Sequence, residues 1–135
     1  MSQQKITGLA DSGAPEQNKK PRLLVVDDEP GWRDLLSYEL RANGYEVELA
    51  ENGCQGLEMF RQKPTDVILT DVRMPGKMDG IDMIQQCLEE GARPKVIFMS
   101  GYAAEEKLEK ALRYESSLYL RKPFDMDELL KALCV

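Results

Sequence analysis

Four short apolar runs in this chain stop abruptly at residues with polar chemistry. Leu23-Leu24-Val25-Val26 ends at Asp27-Asp28-Glu29, and Val67-Ile68-Leu69 leads into Thr70-Asp71. Val96-Ile97-Phe98-Met99 ends at Ser100, and Leu118-Tyr119-Leu120 runs up to Arg121-Lys122. Runs of three or four apolar residues are too short for a buried helix. They also lack the alternation of a strand with one wet face, so they read as strands covered on both sides. Such strands pair in parallel, and each crossover lays a helix on one face of the sheet.

The intervening segments carry helical signals. Pro30 suits a first turn, Trp32, Leu35, Leu36 and Leu40 follow at helical spacing, and Asn43-Gly44 stops the run. Tyr45 to Leu49 alternates like a strand. Asn52 is placed to cap a helix bearing Leu57 and Phe60, which Pro64 ends. Asp79 is placed to cap another through Ile81, Ile84 and Leu88, stopped by Gly91. Tyr102 to about Tyr114 reads as a charged helix with a Leu108-Ala111-Leu112 stripe. Asp125 with Glu128 forms a capping-box pattern ahead of Leu129, Leu130 and Leu133. The alternation predicts an α/β domain: a doubly wound five-stranded parallel sheet with helices on both faces, spanning 21–135. Residues 1–20 are mostly polar and predict a flexible tail.

In such a sheet, ligands bind at the carboxyl ends of the strands, near the point where strand order reverses. The acids after the first strand, Asp71, Ser100 and Lys122 all fall there, contributed by four different strands. Composition limits what they can do together. The chain has no histidine, which excludes Ser-His-Asp and Cys-His nucleophile pairs, His-containing zinc sites and imidazole acid–base steps. The three cysteines, Cys54, Cys87 and Cys134, are too few for a Cys₄ zinc site and read as small apolar residues of a reducing compartment. A formal net charge of -6 argues against nucleic acid as a direct partner. No apolar stretch reads as a signal peptide or membrane span, so the expected location is cytoplasmic and no membrane is involved.

Several carboxylates within a few ångström repel unless a cation intervenes. Mg²⁺ fits, being hard, oxygen-seeking and content with one or two carboxylates, water and a phosphoryl oxygen. A lysine and a hydroxyl opposite it can stabilise further negative charge on one carboxylate. That is the anatomy of a phosphoryl-accepting aspartate, attacking in line while cations hold the equatorial oxygens.

The motifs VVDDEP, LTDVRMPG, MDG, MSGY and LRKPF, in this order and at strand ends, resemble the receiver domain of two-component response regulators, over 21–135. The resemblance implies a flavodoxin-like (βα)5 fold and assigns roles. Asp71 resembles the phosphoacceptor, Asp28 the direct Mg²⁺ ligand and Asp27 a ligand through water. Asp71 and the backbone carbonyl of Arg73 complete the metal set. Ser100 resembles the switch hydroxyl, Lys122 its phosphoryl-binding partner and Tyr119 the aromatic whose rotamer follows Ser100. Pro123 resembles a cis-proline turn, and Arg73, Gly101 and Tyr102 flank the site as tuning positions. Trp32 and the methionines read as packing.

Three departures stand out. Gly76-Lys77 lengthens the loop beside Asp71 by one residue. Tyr114-Glu115-Ser116-Ser117 replaces the Gly-containing turn before the fifth strand, which predicts a frayed or displaced end of the fourth helix. Gly101 stands where alanine is common and leaves more room near the phosphoryl group. The implied function is a phospho-accepting switch of a phosphorelay, read on the fourth helix–fifth strand–fifth helix face. It would take its phosphoryl group from a sensor histidine kinase or His-phosphotransfer protein and pass the signal to an unidentified protein partner. It would not be an enzyme with independent turnover, beyond Mg²⁺-dependent self-phosphorylation and autodephosphorylation. A monomer and a phosphorylation-linked dimer are both compatible with the sequence. So are a stand-alone receiver and a fragment of a larger regulator or hybrid kinase. A phosphorylation-independent binding module of the same fold is the rival reading, disfavoured by the intact acid–Ser–Lys set. A nucleotide binder is disfavoured because no GxGxxG or GxxxxGK[ST] loop is present.

Overall fold

The structure, a computed structural model, describes residues 20–101 and 106–135. The expected tail falls almost wholly outside the described residues, as does Tyr102. Five strands alternate with five helices. The strands are β1 (Arg22–Val26), β2 (Glu46–Ala50), β3 (Val67–Asp71), β4 (Lys95–Ser100) and β5 (Ser117–Arg121). The helices are α1 (Pro30–Ala42), α2 (Gly53–Gln62), α3 (Gly80–Glu89), α4 (Glu106–Ala111) and α5 (Met126–Cys134).

All strand pairs are parallel, in the order β2-β1-β3-β4-β5. The chain steps from β1 out to β2, then crosses back to β3 on the other side of β1. The reversal therefore lies between β1 and β3, and their carboxyl ends open side by side, with Val26 in register with Thr70.

The apolar runs fill the two layers they were expected to fill. Leu24, Val26, Ile68, Val96 and Phe98 face α2, α3 and α4. Leu23, Val25, Val67, Leu69, Ile97 and Met99 face α1 and α5. Every residue of β3 is buried, and each aliphatic side chain so covered contributes roughly 1.5–3 kcal/mol. The expected caps form. Asn52 accepts from Gln55 N, and Asp79–Asp82 and Asp125–Glu128 make reciprocal capping boxes. Gly44 and Gly91 take φ of +91° and +94° just past α1 and α3, a left-handed turn that residues with a Cβ rarely adopt.

Several expectations need correction. The second strand is Glu46–Ala50, one residue later than its alternation suggested. Leu35 points away from the core and is 49 % exposed, while Ser37 takes the buried position beside Leu36 and Leu40. Cys54 and Cys134 are exposed, so only Cys87 behaves as a small core residue. The fourth helix is not helical to Tyr114. Its described part stops at Ala111, and the chain then winds through tighter turns, Arg113 N to Lys110 O and Tyr114 N to Ala111 O. The side chain of Ser117 bonds back to Tyr114 O, and the Tyr114 hydroxyl to Pro94 O. Side-chain bonds thus replace the absent glycine at this boundary.

Candidate functional site

The β1/β3 opening gathers charge. Asp27, Asp28 and Asp71 each place a carboxylate oxygen within 4.8 Å of the other two. Asp27 is fully buried, Asp71 is 8 % exposed, and Asp28 is exposed at the rim. Asp27 Oδ1 accepts from Glu29 N at 2.9 Å, which fixes the carboxylate against the first turn of α1. Arg33, one turn further, donates to Asp27 O at 2.6 Å.

Lys122 enters from the end of β5. Its Nζ lies 2.8 Å from Asp27 Oδ2, 3.1 Å from Glu29 Oε1 and 3.2 Å from Asp71 Oδ2. The Lys122–Pro123 peptide bond is cis. Burial pushes the Asp71 carboxyl up to about 6, Lys122 opposes that, and Asp27 adds to it. A backbone hydrogen bond from Arg73 also favours the charged form. Burial works against the Lys122 ammonium, but the hydrogen bond to Asp27 and the Asp71 and Glu29 carboxylates outweigh it and hold its pKa above the usual lysine value.

Ser100 is 2 % exposed at the end of β4, in register with Arg121. Its carbonyl accepts two bonds from the β5 side, one from the Tyr119 hydroxyl at 3.0 Å and one from Lys122 N at 2.9 Å. Ser100, Tyr119 and Lys122 are therefore tied through one backbone oxygen. The Tyr119 ring packs against the core layer under α2, α3 and α4.

The loop between β3 and α3 carries Arg73, exposed, and the Gly76-Lys77 pair, with Gly76 at φ +102°. Among the described residues, a Cβ at Gly101 would meet nothing within 4 Å beyond its chain neighbours. Gly80 is the opposite case: a Cβ there would stand 1.9 Å from Asp71 O and 2.8 Å from Thr70 Oγ1. The first turn of α3 thus lies directly against the strand end that presents Asp71. Lys107 on α4 reaches Asp79 at 2.8 Å and Asp82 at 2.9 Å, linking the two helix N-terminal regions.

The structure brings Asp27, Asp28, Asp71 and Lys122 together, with Ser100, Tyr119, Arg73, Gly101 and Pro123 around them. It adds two residues that the sequence reading left unassigned or took as packing. Glu29 is an ion-pair partner of Lys122. Trp32 lies under the same ammonium, 5.4 Å from ring centroid to Nζ. Both sit at the start of α1, Glu29 as its N-cap and Trp32 in its first turn, at the strand-end edge.

The family model for the response regulator receiver domain matches residues 23–134. The regulatory protein AtoC of Escherichia coli is 42% identical over 108 residues, which is 80% of this chain and 23% of that protein. Sporulation initiation phosphotransferase F of Bacillus subtilis is 31% identical over 112 residues, covering 83% of this chain and 90% of that protein. The chain thus spans about a quarter of the first relative and nearly all of the second. Among solved structures, Vibrio cholerae chemotaxis protein CheY4 superposes with a TM-score of 0.77 at 29% identity, covering 85% of this chain and 97% of that one.

Proposed function

This chain belongs to the response regulator receiver domain family, and on that footing we propose that Asp71 accepts a phosphoryl group and that the change is read on the face of α4, β5 and α5. Receiver domains are signalling switches of two-component systems and not substrate-turnover enzymes. The observation that carries the reading is the position of Asp71: a nearly buried carboxylate with a cation 3.2 Å away and two further aspartates beside it.

The family implies magnesium, and the donor set fits it. Three carboxylates are crowded into a partly desolvated pocket that one ammonium does not neutralise, and all are hard oxygen donors. Asp28 and Asp71 would hold the ion directly, Asp27 through water, and the Arg73 carbonyl would complete the protein ligands. Bound there, it supplies positive charge to the phosphoryl oxygens. Asp71 Oδ forms the new O–P bond as the N–P bond of the donor's phosphohistidine breaks. Lys122 then exchanges carboxylate partners for a phosphoryl oxygen, and the Ser100 hydroxyl takes another. The added charge of roughly −1.5 to −2 favours whichever arrangement of Ser100, Tyr119 and Lys122 binds it better. The donor class is a sensor histidine kinase or His-phosphotransfer protein. The recipient is a further protein, and the setting is the cytoplasm; among the described residues no helix is long and apolar enough to cross a membrane.

Intact-mass analysis after incubation with phosphoramidate and Mg²⁺ tests this. A gain of about 80 Da in the wild type, absent in Asp71→Asn, is expected. Equal labelling of the two, or no labelling where a control receiver is labelled, would refute it. The coverage of AtoC, at 23% of its length, also supports a second reading of context, in which this domain is one part of a larger regulator.

A further inference from the structure

Trp32 is the single tryptophan of the chain, and its indole meets three separate pieces of the strand-end edge. The Lys122 ammonium lies over its ring, 5.4 Å from the centroid. Phe124 meets it edge to face, with centroids 5.0 Å apart and ring planes at 84°. The indole Nε1–H points to Met99 Sδ at 3.4 Å, on the fully buried residue before Ser100. Met99 and Phe124 hold the ring from two directions. It is a fixed surface on which the lysine rests, not a side chain that follows it.

Lys122 has three N–H donors, and the carboxylates of Asp27, Glu29 and Asp71 share them at 2.8, 3.1 and 3.2 Å. These three pull in different directions, and Glu29, 65% exposed, pulls outward toward solvent. An aromatic face attracts an ammonium within about 6 Å of its centroid, more strongly where water is excluded. The Lys122 side chain is 14% exposed, so water competes little. The attraction fixes where Nζ sits without using up any of its protons.

We propose that Trp32 is a positioning residue for Lys122: its indole face holds the ammonium beside Asp71, leaving the N–H donors to pass from carboxylates to phosphoryl oxygens. The inference rests on the phosphoacceptor reading of Asp71. Trp32 touches no reacting atom and acts through the lysine. Removing the ring lets the ammonium follow Glu29 outward, so the productive arrangement is populated less and transfer slows, while donor binding is unchanged.

The test uses the full chain, phosphoramidate and Mg²⁺, with labelling followed by mass over time. Trp32→Leu is expected to slow labelling at saturating donor by about 3- to 10-fold, at an unchanged half-saturating donor concentration. Trp32→Phe keeps an aromatic face and restores most of the rate. In a Lys122→Met background, Trp32→Leu changes the rate less than about twofold. A Trp32→Leu effect of the same size without the lysine overturns the proposal, because the ring would then act through packing alone. A second arm needs no phosphorylation. Urea unfolding of wild type, Trp32→Leu, Lys122→Met and the double variant, followed by circular dichroism, closes a thermodynamic cycle. Coupling of about threefold or more in the unfolding constant is expected, and additive effects overturn the contact. A wild type that takes no phosphoryl group while that cycle shows coupling removes the phosphoacceptor reading and the positioning role together. Normal wild-type labelling with an additive cycle removes this inference alone.

Discussion

Replacing Asp71 by Asn should make the metal-free protein more stable, and the gain should depend on pH. Burial pushes the Asp71 carboxyl from 3.8 to about 6. Between those values the folded chain holds a proton that the unfolded chain has released, so the wild type loses stability as pH rises through this window and is flat above it. The full shift from 3.8 to about 6 corresponds to about 3 kcal/mol. The site is open at its rim, with Asp28 and Glu29 exposed, and solvent screening leaves roughly half of that, about 1.5 kcal/mol. Asn keeps the shape and drops the charge. Lys122 is not orphaned, since Asp27 and Glu29 still hold it. The assay is urea unfolding in EDTA, read by Trp32 fluorescence, at steps from pH 4 to 7.5. With a urea slope of about 1–2 kcal/mol/M for a small domain, the Asn midpoint should exceed the wild-type midpoint by about 1 M above pH 6. The two should converge near pH 4. Mg²⁺ should raise the wild-type midpoint and narrow the gap. A midpoint difference that ignores pH, or an Asn variant less stable at pH 7.5, would refute the reasoning.

Gly80→Ala should destabilise the domain by about 2–4 kcal/mol in urea unfolding, because its Cβ would stand 1.9 Å from Asp71 O; an Ala variant of wild-type stability would show that α3 shifts away at little cost. The Glu90 carboxyl, hydrogen-bonded by Arg61 and Gln86, is held down at about 2, so its contribution is present above the ordinary glutamate value and is lost as pH falls through about 2. NMR titration should find that midpoint, and Arg61→Ala should return it toward 4.5. Burial pushes the Cys87 thiol up to about 11, whereas Cys54 and Cys134 are exposed. A disulfide reagent should therefore modify two thiols of the native chain quickly and the third only on unfolding.

Much of this fold can be read in the sequence because its strands carry a two-sided demand for burial. The run from Val67 to Leu69 has no solvated face to offer, and only a central parallel strand satisfies that. The caps at Asn52, Asp79 and Asp125 are legible for a similar reason: a short polar side chain at a fixed offset has a definite donor to satisfy. Leu35 and Tyr114 were harder. Periodicity places an apolar residue near a buried stripe, but whether it falls inside or just beyond depends on the roll of the helix against its sheet. The end of α4 depends on Tyr114 reaching Pro94, 20 residues away, a contact between separate segments that local pattern does not encode. At the site, Asp71 and Lys122 follow from strand order alone. Glu29 and Trp32 do not, because their relation to Lys122 depends on where a lysine 93 residues from Glu29 ends its reach.

The contact beneath Gly80 makes a missing side chain part of the frame of the site. With Gly80 N bonded to Val72 O at 3.1 Å and no space for even a methyl group against Asp71 O, α3 and the end of β3 are one rigid piece. The backbone of Asp71 and the first turn of α3 can therefore shift only together. On the proposed reading, the rearrangement would run through the Ser100 carbonyl, which accepts from both the Tyr119 hydroxyl and Lys122 N. A missing side chain thus fixes how closely α3 can stand to the strand end that presents Asp71.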